Sequence, residues 1–202
     1  MPVAELLARS SAAWRAATRH PFLDGVRTGT VPPEAFGTWL VQDAAFVADL
    51  LAFQARLLAR APRPAPLVLA QGAVALVEEL AWFDEQAAAL GLALGAPRLP
   101  ATQDYADLLA RLDGTPPAAA LTGLWVLERV YLEAWSYAAP GAGGYRAHVE
   151  HWTTPGFAGY VADLERAADA LLADDPEPGL DDLVADVLAA ETAFWDMAGA
   201  GR

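Results

Sequence analysis

The chain has 202 residues and a strongly acidic balance, with 26 Asp and Glu residues against 13 basic ones and a net charge of −13. This length suits one domain with a sizeable core. The acidic balance, with no basic cluster to offset it, opposes nucleic-acid binding, because that binding depends on neutralising phosphates.

Two chemically important residue types are absent, since the chain has no Cys and all 13 basic residues are Arg. Without Cys there is no thiol nucleophile, disulfide or thiolate metal site. Without Lys there is no Schiff-base chemistry and no P-loop lysine. Because only three His are present, the candidate catalytic groups are mainly Asp, Glu and Tyr.

The N-terminus, "MPVAELLARSSAAW", lacks the basic start and apolar block of a signal peptide. No uninterrupted apolar run approaches the roughly 18 residues that favour a membrane span. We therefore expect a cytoplasmic protein that does not bind a membrane.

Pro and Gly divide the chain into segments that are rich in Ala and Leu and poor in β-branched residues, which favours helices over strands. No alternating run predicts a strand and no internal repeat is evident, so the predicted fold class is all-α. We expect residues 1–202 to form a single helical domain. The predicted helices span residues 2–18, 33–61, 65–91, 102–113, 117–138, 143–153, 156–174 and 179–198.

The second predicted helix carries Asp43 in the middle of an apolar stripe at helical spacing, which includes Phe36, Leu40 and Val47. A lone Asp in such a place commonly sits at the edge of the stripe and reaches water. The alternative is a carboxyl group that faces inward.

The segment "LWVLERVYLEAW" (124–135) poses the same question more sharply, because Glu128 shares one helix face with Leu124, Tyr131 and Trp135. In the last predicted helix, Glu191 is likewise central in an apolar stripe. The simplest interpretation of each is a wetted edge or a core carboxylate paired with an Arg. Arg129 is not an obvious partner for Glu128, since adjacent residues point about 100° apart on a helix.

Three inward carboxyl groups on three helices favour a shared site over three separate accidents. A buried carboxylate without a partner is costly, so each group should be hydrogen-bonded, protonated or facing a polar cavity. Burial also raises a carboxyl pKa, which suits acid/base catalysis near neutral pH. The hypothesis is an active site lined by Asp43, Glu128 and Glu191.

Aromatic side chains near these positions suit a flat ligand. Rings can sandwich another ring in a pocket, although aromatic residues at helical spacing are usually part of an ordinary core. The candidates for such a pocket are Phe46, Tyr105, Tyr131, Trp135 and Trp152.

A metal site is the weaker alternative. The segment "HVEHW" places His148 and His151 on one helical face with Glu150 between them, and such groups can hold a metal in a helical bundle. There is only one His pair and no Glu-x-x-His repeat, and His151 and Glu150 have the character of surface residues. We expect neither a metal nor another cofactor.

Several motifs, in order, resemble the TenA/thiaminase-II family. Residues 20–46, "HPFLDGVRTGTVPPEAFGTWLVQDAAF", resemble its N-terminal signature, and "VEELAWFDEQAAALGL" resembles its third helix. "YRAHVEHWTTPGFAGYV" is similar to its segment with Tyr, an aromatic residue and Phe, and "ETAFWDMA" (191–198) to its closing helix. The resemblance spans almost the whole sequence.

The resemblance implies a single-domain, heme-oxygenase-like helical bundle with a pocket for an aminopyrimidine, the pyrimidine half of thiamin. It implies hydrolysis of a C–N bond in the side chain of that pyrimidine, as salvage chemistry. It assigns the ring's amino and nitrogen edge to Asp43, the reacting centre to Glu191 and a pocket hydroxyl to Tyr105. It also makes a homo-oligomer, a dimer or a tetramer, the expected assembly.

This protein departs from one branch of the family, which uses a Cys nucleophile where Leu127 stands here. It resembles instead a branch without that Cys, which has a Glu in a Trp-x-x-Glu-x-x-Tyr setting, matched by Glu128 and Tyr131. Two family tyrosines are replaced by Phe46 and Trp152, which keep a ring and lose the hydroxyl.

The resulting hypothesis is that Glu128 replaces the missing thiol and forms an acid/base pair with Glu191 around the side-chain nitrogen of the substrate. Asp43 would orient the ring, Tyr131 or Tyr105 would hydrogen-bond to it, and rings such as Trp135 would stack. The expected substrate is a small pyrimidine in its aminomethyl or formylaminomethyl form. Two alternatives stay open: a small-molecule binding protein without turnover, and a metal-dependent oxidase on the same bundle.

Overall fold

A computed structural model describes residues 2–174 and 177–198 of the protein. These residues form ten α-helices and no strand, which confirms the all-α prediction. The helices are α1 (Ala4–Arg9), α2 (Ser11–Thr18), α3 (Pro21–Thr28), α4 (Pro33–Arg60), α5 (Ala65–Leu90), α6 (Pro100–Asp113), α7 (Pro117–Ala138), α8 (Arg146–Trp152), α9 (Pro155–Asp174) and α10 (Leu180–Met197).

Proline and glycine set most helix boundaries, as the sequence indicates. Pro33, Pro100, Pro117 and Pro155 each begin a helix, where the fixed proline φ suits the first turn and the missing N–H is not needed. Gly91 ends α5 with a φ of 67°, a conformation that glycine adopts without steric cost. The predicted boundaries of α4, α5 and α7 are accordingly correct to within one residue.

The N-terminal region differs from the prediction. The single helix expected over 2–18 is interrupted at Ser10, which lies outside the helical region of φ and ψ. A further helix, Pro21–Thr28, was not predicted. Its eight residues are too few to show a clear period, and its cap is unusual because the Phe22 N–H donates to Nδ1 of His20 at 3.1 Å.

Helix α7 lies at the centre of the bundle and is buried along most of its length. It packs against α2, α3 and α4, and also against α6, α8, α9 and α10, while α4 packs mainly against α5 and α6. The central position of α7 explains why its residues read as almost continuously apolar. Burial also makes any polar side chain on α7 costly unless it is hydrogen-bonded or faces a cavity.

A cluster of indole rings fills the core between α4, α7, α8 and α10. The ring centroids of Trp135 and Trp152 are 4.4 Å apart, and those of Trp39 and Trp135 are 5.2 Å apart. Trp195 lies 5.8 Å from Trp39. These are separations at which aromatic pairs attract one another beyond their area burial, so the cluster fixes α8 and α10 against the central helices.

Two helices, α4 and α5, are long and apolar enough to cross a membrane by length and composition alone. The most apolar window of α4 is 67% buried inside the bundle, as expected of a core helix, whereas that of α5 is 22% buried. Such helices are weak indicators of a span, and the expectation of no membrane association stays a prediction.

Candidate active site

A cavity of about 350 Å³ opens between helices α4, α5, α7, α8 and α9. Its volume is in the range of small-molecule sites. Its walls combine apolar and aromatic side chains with several carboxyl groups. Residues that define its chemistry are Asp43, Phe46, Glu79, Glu128, Tyr131 and Trp152.

All three carboxyl groups singled out from the sequence are buried: Asp43 is 1% exposed, Glu128 6% and Glu191 3%. Among the described residues, no Arg pairs with any of them, and the nearby Arg129 instead contacts Glu133 at 3.7 Å. The simpler interpretations, a wetted edge or an Arg-paired core carboxylate, are therefore wrong for these three residues.

Asp43 is fixed by one hydrogen bond, in which the Tyr131 hydroxyl donates to Oδ2 at 2.9 Å. Its other oxygen, Oδ1, is buried and has no partner among residues 2–174 and 177–198. Burial raises the pKa of Asp43 well above its ordinary value, although the bond from Tyr131 acts in the opposite direction. A carboxyl group with one fixed and one free oxygen can hold the edge of a nitrogen heterocycle.

Glu128 projects from α7 into the cavity. Burial, and to a smaller extent the charges of Glu79 and Glu191, raises its pKa from 4.5 to about 8. No hydrogen bond joins its carboxyl group to any other described residue. Such a group is mostly protonated at neutral pH and can give up or take up a proton near that pH.

Glu191 and Tyr105 form a second hydroxyl–carboxyl pair, with 2.9 Å between the Tyr105 hydroxyl and Oε2 of Glu191. Burial raises the pKa of Glu191 to about 8 against the opposing effect of that hydrogen bond. The pair lies beside the cavity and is not part of its lining. The Tyr105 ring packs at 4.5 Å from the Phe46 ring, which does face the cavity.

The aromatic candidates divide into cavity walls and supports. Phe46 and Trp152 line the cavity together with Tyr131. Trp135 does not line it and instead packs behind Trp152 at 4.4 Å. Leu127, at the position of the Cys in the other branch, lines the cavity next to Glu128 and presents no nucleophile there.

Glu79 and His151 were not among the predicted site residues, yet both line the cavity. His151 Nε2 lies 2.8 Å from Glu79 Oε2, and the Trp152 indole N–H donates to Glu79 Oε1 at 2.7 Å. The His151 side chain is 29% exposed, so it lies at the surface as expected, but it also faces the cavity and contacts Glu79. Glu79 was difficult to identify from the sequence, because it lies in "VEEL", which resembles an exposed acidic turn of a helix.

A further set of residues closes one side of the cavity. The Tyr160 hydroxyl donates to Gln54 Oε1 at 3.2 Å, and Gln54 Nε2 donates to the Leu69 carbonyl at 2.8 Å. Gly72 leaves room for this network, because a Cβ on Gly72 would lie 2.3 Å from Gln54 Nε2 and 2.5 Å from the Tyr160 oxygen.

The two His of "HVEHW" point to different surroundings. His148 is buried against Phe36, at 4.8 Å between ring centroids, and burial lowers its pKa. His151 faces Glu79 instead. Across residues 2–174 and 177–198, no group of three or more His, Asp and Glu is arranged to hold a metal ion.

Known proteins share both the sequence pattern and the fold. A TenA homologue from Pyrococcus furiosus superposes with a TM-score of 0.89 and 27% identity, covering 98% of this chain and all of that one. A TenA homologue from Pyrococcus horikoshii superposes with a TM-score of 0.87 at 21% identity over the full length of both proteins, which bears on the fold alone.

A protein of Glycine max named a probable bifunctional TENA-E protein is 28% identical over 201 residues, covering 91% of this chain and 87% of its own length. The sequence pattern of the TENA/THI-4/PQQC family matches residues 7–200, nearly the whole sequence. The buried carboxyl–tyrosine pairs described above thus lie within the matched region, and the chain belongs to the TENA/THI-4/PQQC family.

Proposed function

We propose that this protein is a hydrolase of the thiamin-salvage type, which cleaves a C–N bond in the side chain of an aminopyrimidine. The single observation that carries the proposal is the Glu128 carboxyl group, buried, facing the cavity and with its pKa raised to about 8. Family membership and the TENA-E name of the Glycine max relative support a thiamin-salvage function in the broad sense.

Binding of the ring follows from the hydrogen-bonding capacity of the walls. The free Oδ1 of Asp43 accepts a hydrogen bond from the amino group or a protonated nitrogen of the pyrimidine. Tyr131, which donates to the other oxygen, holds the Asp43 carboxyl group in that orientation. Phe46 and Trp152 contribute aromatic surface for stacking against the ring.

The proposed reaction needs one proton donor and one acceptor. For the aminomethyl substrate, a water oxygen bonds to the methylene carbon while the C–N bond breaks. The side-chain nitrogen leaves as ammonia, with its third proton either carried in by the cationic substrate or given by one carboxyl group, and the other group, as carboxylate, takes a proton from the water. Glu128 lines the cavity and acts on the substrate directly, whereas Glu191 lies beside the cavity and fills the other role through the water. The effect of the Glu191 charge on the pKa of Glu128 supports their acting in one electrostatic environment.

The proposed products are hydroxymethyl pyrimidine and ammonia, with no cofactor consumed. The test is to incubate the purified protein with the aminomethyl pyrimidine, its formyl derivative and thiamin, with and without a chelator. Chromatography follows the hydroxymethyl product. We expect turnover of the aminomethyl or formylaminomethyl compound that the chelator does not change.

Other outcomes of that assay distinguish the alternatives. Loss of activity with the chelator would show that the reaction needs a metal and contradict the carboxyl mechanism, and metal analysis of the purified protein would test the oxidase. Tight binding of the pyrimidines without any product would make the protein a binding module and contradict the hydrolase.

We also propose that the protein assembles with copies of itself through the outer face of α5. Leu67, Val74 and Val77 expose 70%, 60% and 57% of their surfaces on this one helix. Exposed apolar side chains grouped on one face are typical of a protein–protein contact. A cytoplasmic location stays a prediction.

A further inference from the structure

Glu79 is the most tightly held carboxylate of the cavity. Oε1 accepts a 2.7 Å hydrogen bond from the Trp152 indole N–H, and Oε2 lies 2.8 Å from Nε2 of His151. Its side chain is 19% exposed. Both of its oxygens thus have a partner, whereas Asp43 and Glu191 each keep a buried oxygen without one among the described residues.

The contacts of Glu79 attach α8 to α5. The His151 ring stacks on the Trp82 ring with centroids 4.0 Å apart and planes 5° apart, while Trp82 and Glu79 lie one turn apart on α5. Through Trp152, the same carboxylate sets the direction of an indole that lines the cavity. Helix α8 has only seven residues, so these contacts supply much of what orients it.

The charges around the cavity are unbalanced. Of its lining residues, Asp43, Glu78, Glu79 and Glu128 are acidic, and within the described part of the protein His151 is the one basic residue that lines it. The Glu79 charge acts on its neighbours, since after burial it is the largest charge effect that raises the pKa of Asp43 and of Glu128. A cation in this cavity gains attraction that a neutral group does not.

We propose that Glu79 is a positioning and specificity-determining residue of this site. One carboxylate oxygen holds Trp152 in the cavity wall, and the carboxylate charge favours a ring with a cationic side chain over one with a neutral side chain. The identity of the ring rests on the proposed function. The two roles of Glu79, as a negative charge and as a support for Trp152, rest only on the contacts and charges of the cavity.

Two substitutions separate the two roles. Glu79→Gln keeps an oxygen that can accept from the Trp152 N–H and removes the charge, whereas Glu79→Ala removes both. Glu85→Gln is the matched control, because Glu85 is an exposed acidic residue on the same helix and is not part of the cavity wall.

The measurement is kcat/KM for the aminomethyl and formylaminomethyl pyrimidines at neutral pH, where the first is cationic and the second neutral. We expect Glu79→Gln to lower the value for the amine about tenfold and that for the formamide by less than about threefold. We expect Glu79→Ala to lower both values and Glu85→Gln to change neither. Equal losses for both substrates in Glu79→Gln, or unchanged values in Glu79→Ala, would overturn the assignment.

Failure of the proposed function gives a different result. If the wild type turns over neither compound, the hydrolase proposal has failed. Because the compounds then stay intact in the presence of the protein, their equilibrium binding can be measured. Calorimetry then gives the Kd of the aminomethyl and hydroxymethyl pyrimidines directly. A roughly tenfold loss of affinity for the amine alone in Glu79→Gln supports the assignment, and a wild type that binds neither compound overturns it as well.

Discussion

Helices α4 and α5 are similar in length and mean hydropathy, yet they occupy different places in the molecule. Their most apolar windows are about equally apolar, but 67% of the first and 22% of the second are buried. Helix α4 has neighbours on several sides, whereas α5 covers the cavity from outside and exposes Leu67, Val74 and Val77.

The carboxyl groups of the two helices differ accordingly. Asp43 on α4 is buried, has one free oxygen and has a raised pKa. Glu79 on α5 is partly exposed and has a partner for each oxygen. The two helices thus differ in what their carboxyl groups can do. The buried group on α4 has an oxygen available to a ligand, whereas both oxygens of the group on α5 contact protein side chains.

The largest expected effect is at Asp43 on α4, the more buried of the two helices. We expect Asp43→Asn to lower kcat/KM roughly 100-fold, because a charge-assisted hydrogen bond to the ligand is lost and the amide has a single acceptor oxygen, which cannot serve both Tyr131 and the ring. Steady-state kinetics with the aminomethyl pyrimidine checks this. The control is Asp49→Asn on the same helix, which breaks a surface ion pair with Arg98 worth about 0.2–1 kcal/mol. Comparable activity in both variants would contradict the role of Asp43.

The second-largest effect is expected at Gly72, on the side of α5 that faces the cavity. We expect Gly72→Ala to raise KM about tenfold and to lower the free energy of unfolding by about 1–3 kcal/mol, because the new Cβ forces Gln54 and Tyr160 to move. Kinetics and urea unfolding measure the two effects. The control is Gly159→Ala on α9, where, among the described residues, nothing beyond the glycine's own stretch of helix lies within 4 Å of the added Cβ, and where we expect a small gain in stability. Equal behaviour of the two variants would contradict the tight fit at Gly72.

A third prediction concerns pH and stability. The pKa of Glu191 is about 8 in the folded protein against an ordinary 4.5, so the folded state binds the proton more tightly. Its contribution to stability is therefore full below about pH 4.5 and is lost as the pH rises towards 8, by on the order of a few kcal/mol. We expect Glu191→Gln to flatten the fall in Tm across this window.

Thermal unfolding at several pH values tests this directly. Gln keeps an oxygen for the Tyr105 hydroxyl, so the variant removes the titration and retains the hydrogen bond. Glu150→Gln, at an exposed position, should leave the pH dependence unchanged. A Glu191→Gln variant with the same pH dependence as the wild type would contradict a raised pKa at this position.

The smallest effect on the fold is expected at the outer face of α5. We expect the double variant Val74→Ser/Val77→Ser to change the stability of the monomer by no more than about 0.5 kcal/mol per site, and to reduce the molar mass found by light scattering. An unchanged molar mass above that of the monomer would show that copies meet through another surface. A wild type with the mass of the monomer would contradict the homo-oligomer.

The buried carboxyl groups on α4, α7 and α10 could be predicted from the sequence, because local periodicity determines which face of a buried helix points inward. Asp43, Glu128 and Glu191 were found in this way, from carboxyl groups within apolar stripes. The signal was strong because burying a carboxyl group is costly and so is uncommon without a reason.

The part of the cavity wall that α5 and α8 form could not be predicted in the same way. Glu79 stands beside Glu78 in a helix with a partly exposed face, and its partner Trp152 lies 73 residues away, a distance over which periodicity gives no information. His151 likewise owes its place to stacking on Trp82 from another helix. Such contacts arise only when the bundle brings distant segments together.

The most direct test of the account is the turnover of aminomethyl pyrimidine by the wild type and by Glu128→Gln, with the fold of the variant checked by circular dichroism. Gln has the shape of Glu and cannot exchange a proton near neutral pH. We expect the wild type to release hydroxymethyl pyrimidine and ammonia, and the variant to be slower by a factor of at least about 100, the lower end of acid–base catalysis. A folded Glu128→Gln variant with full activity would contradict the account.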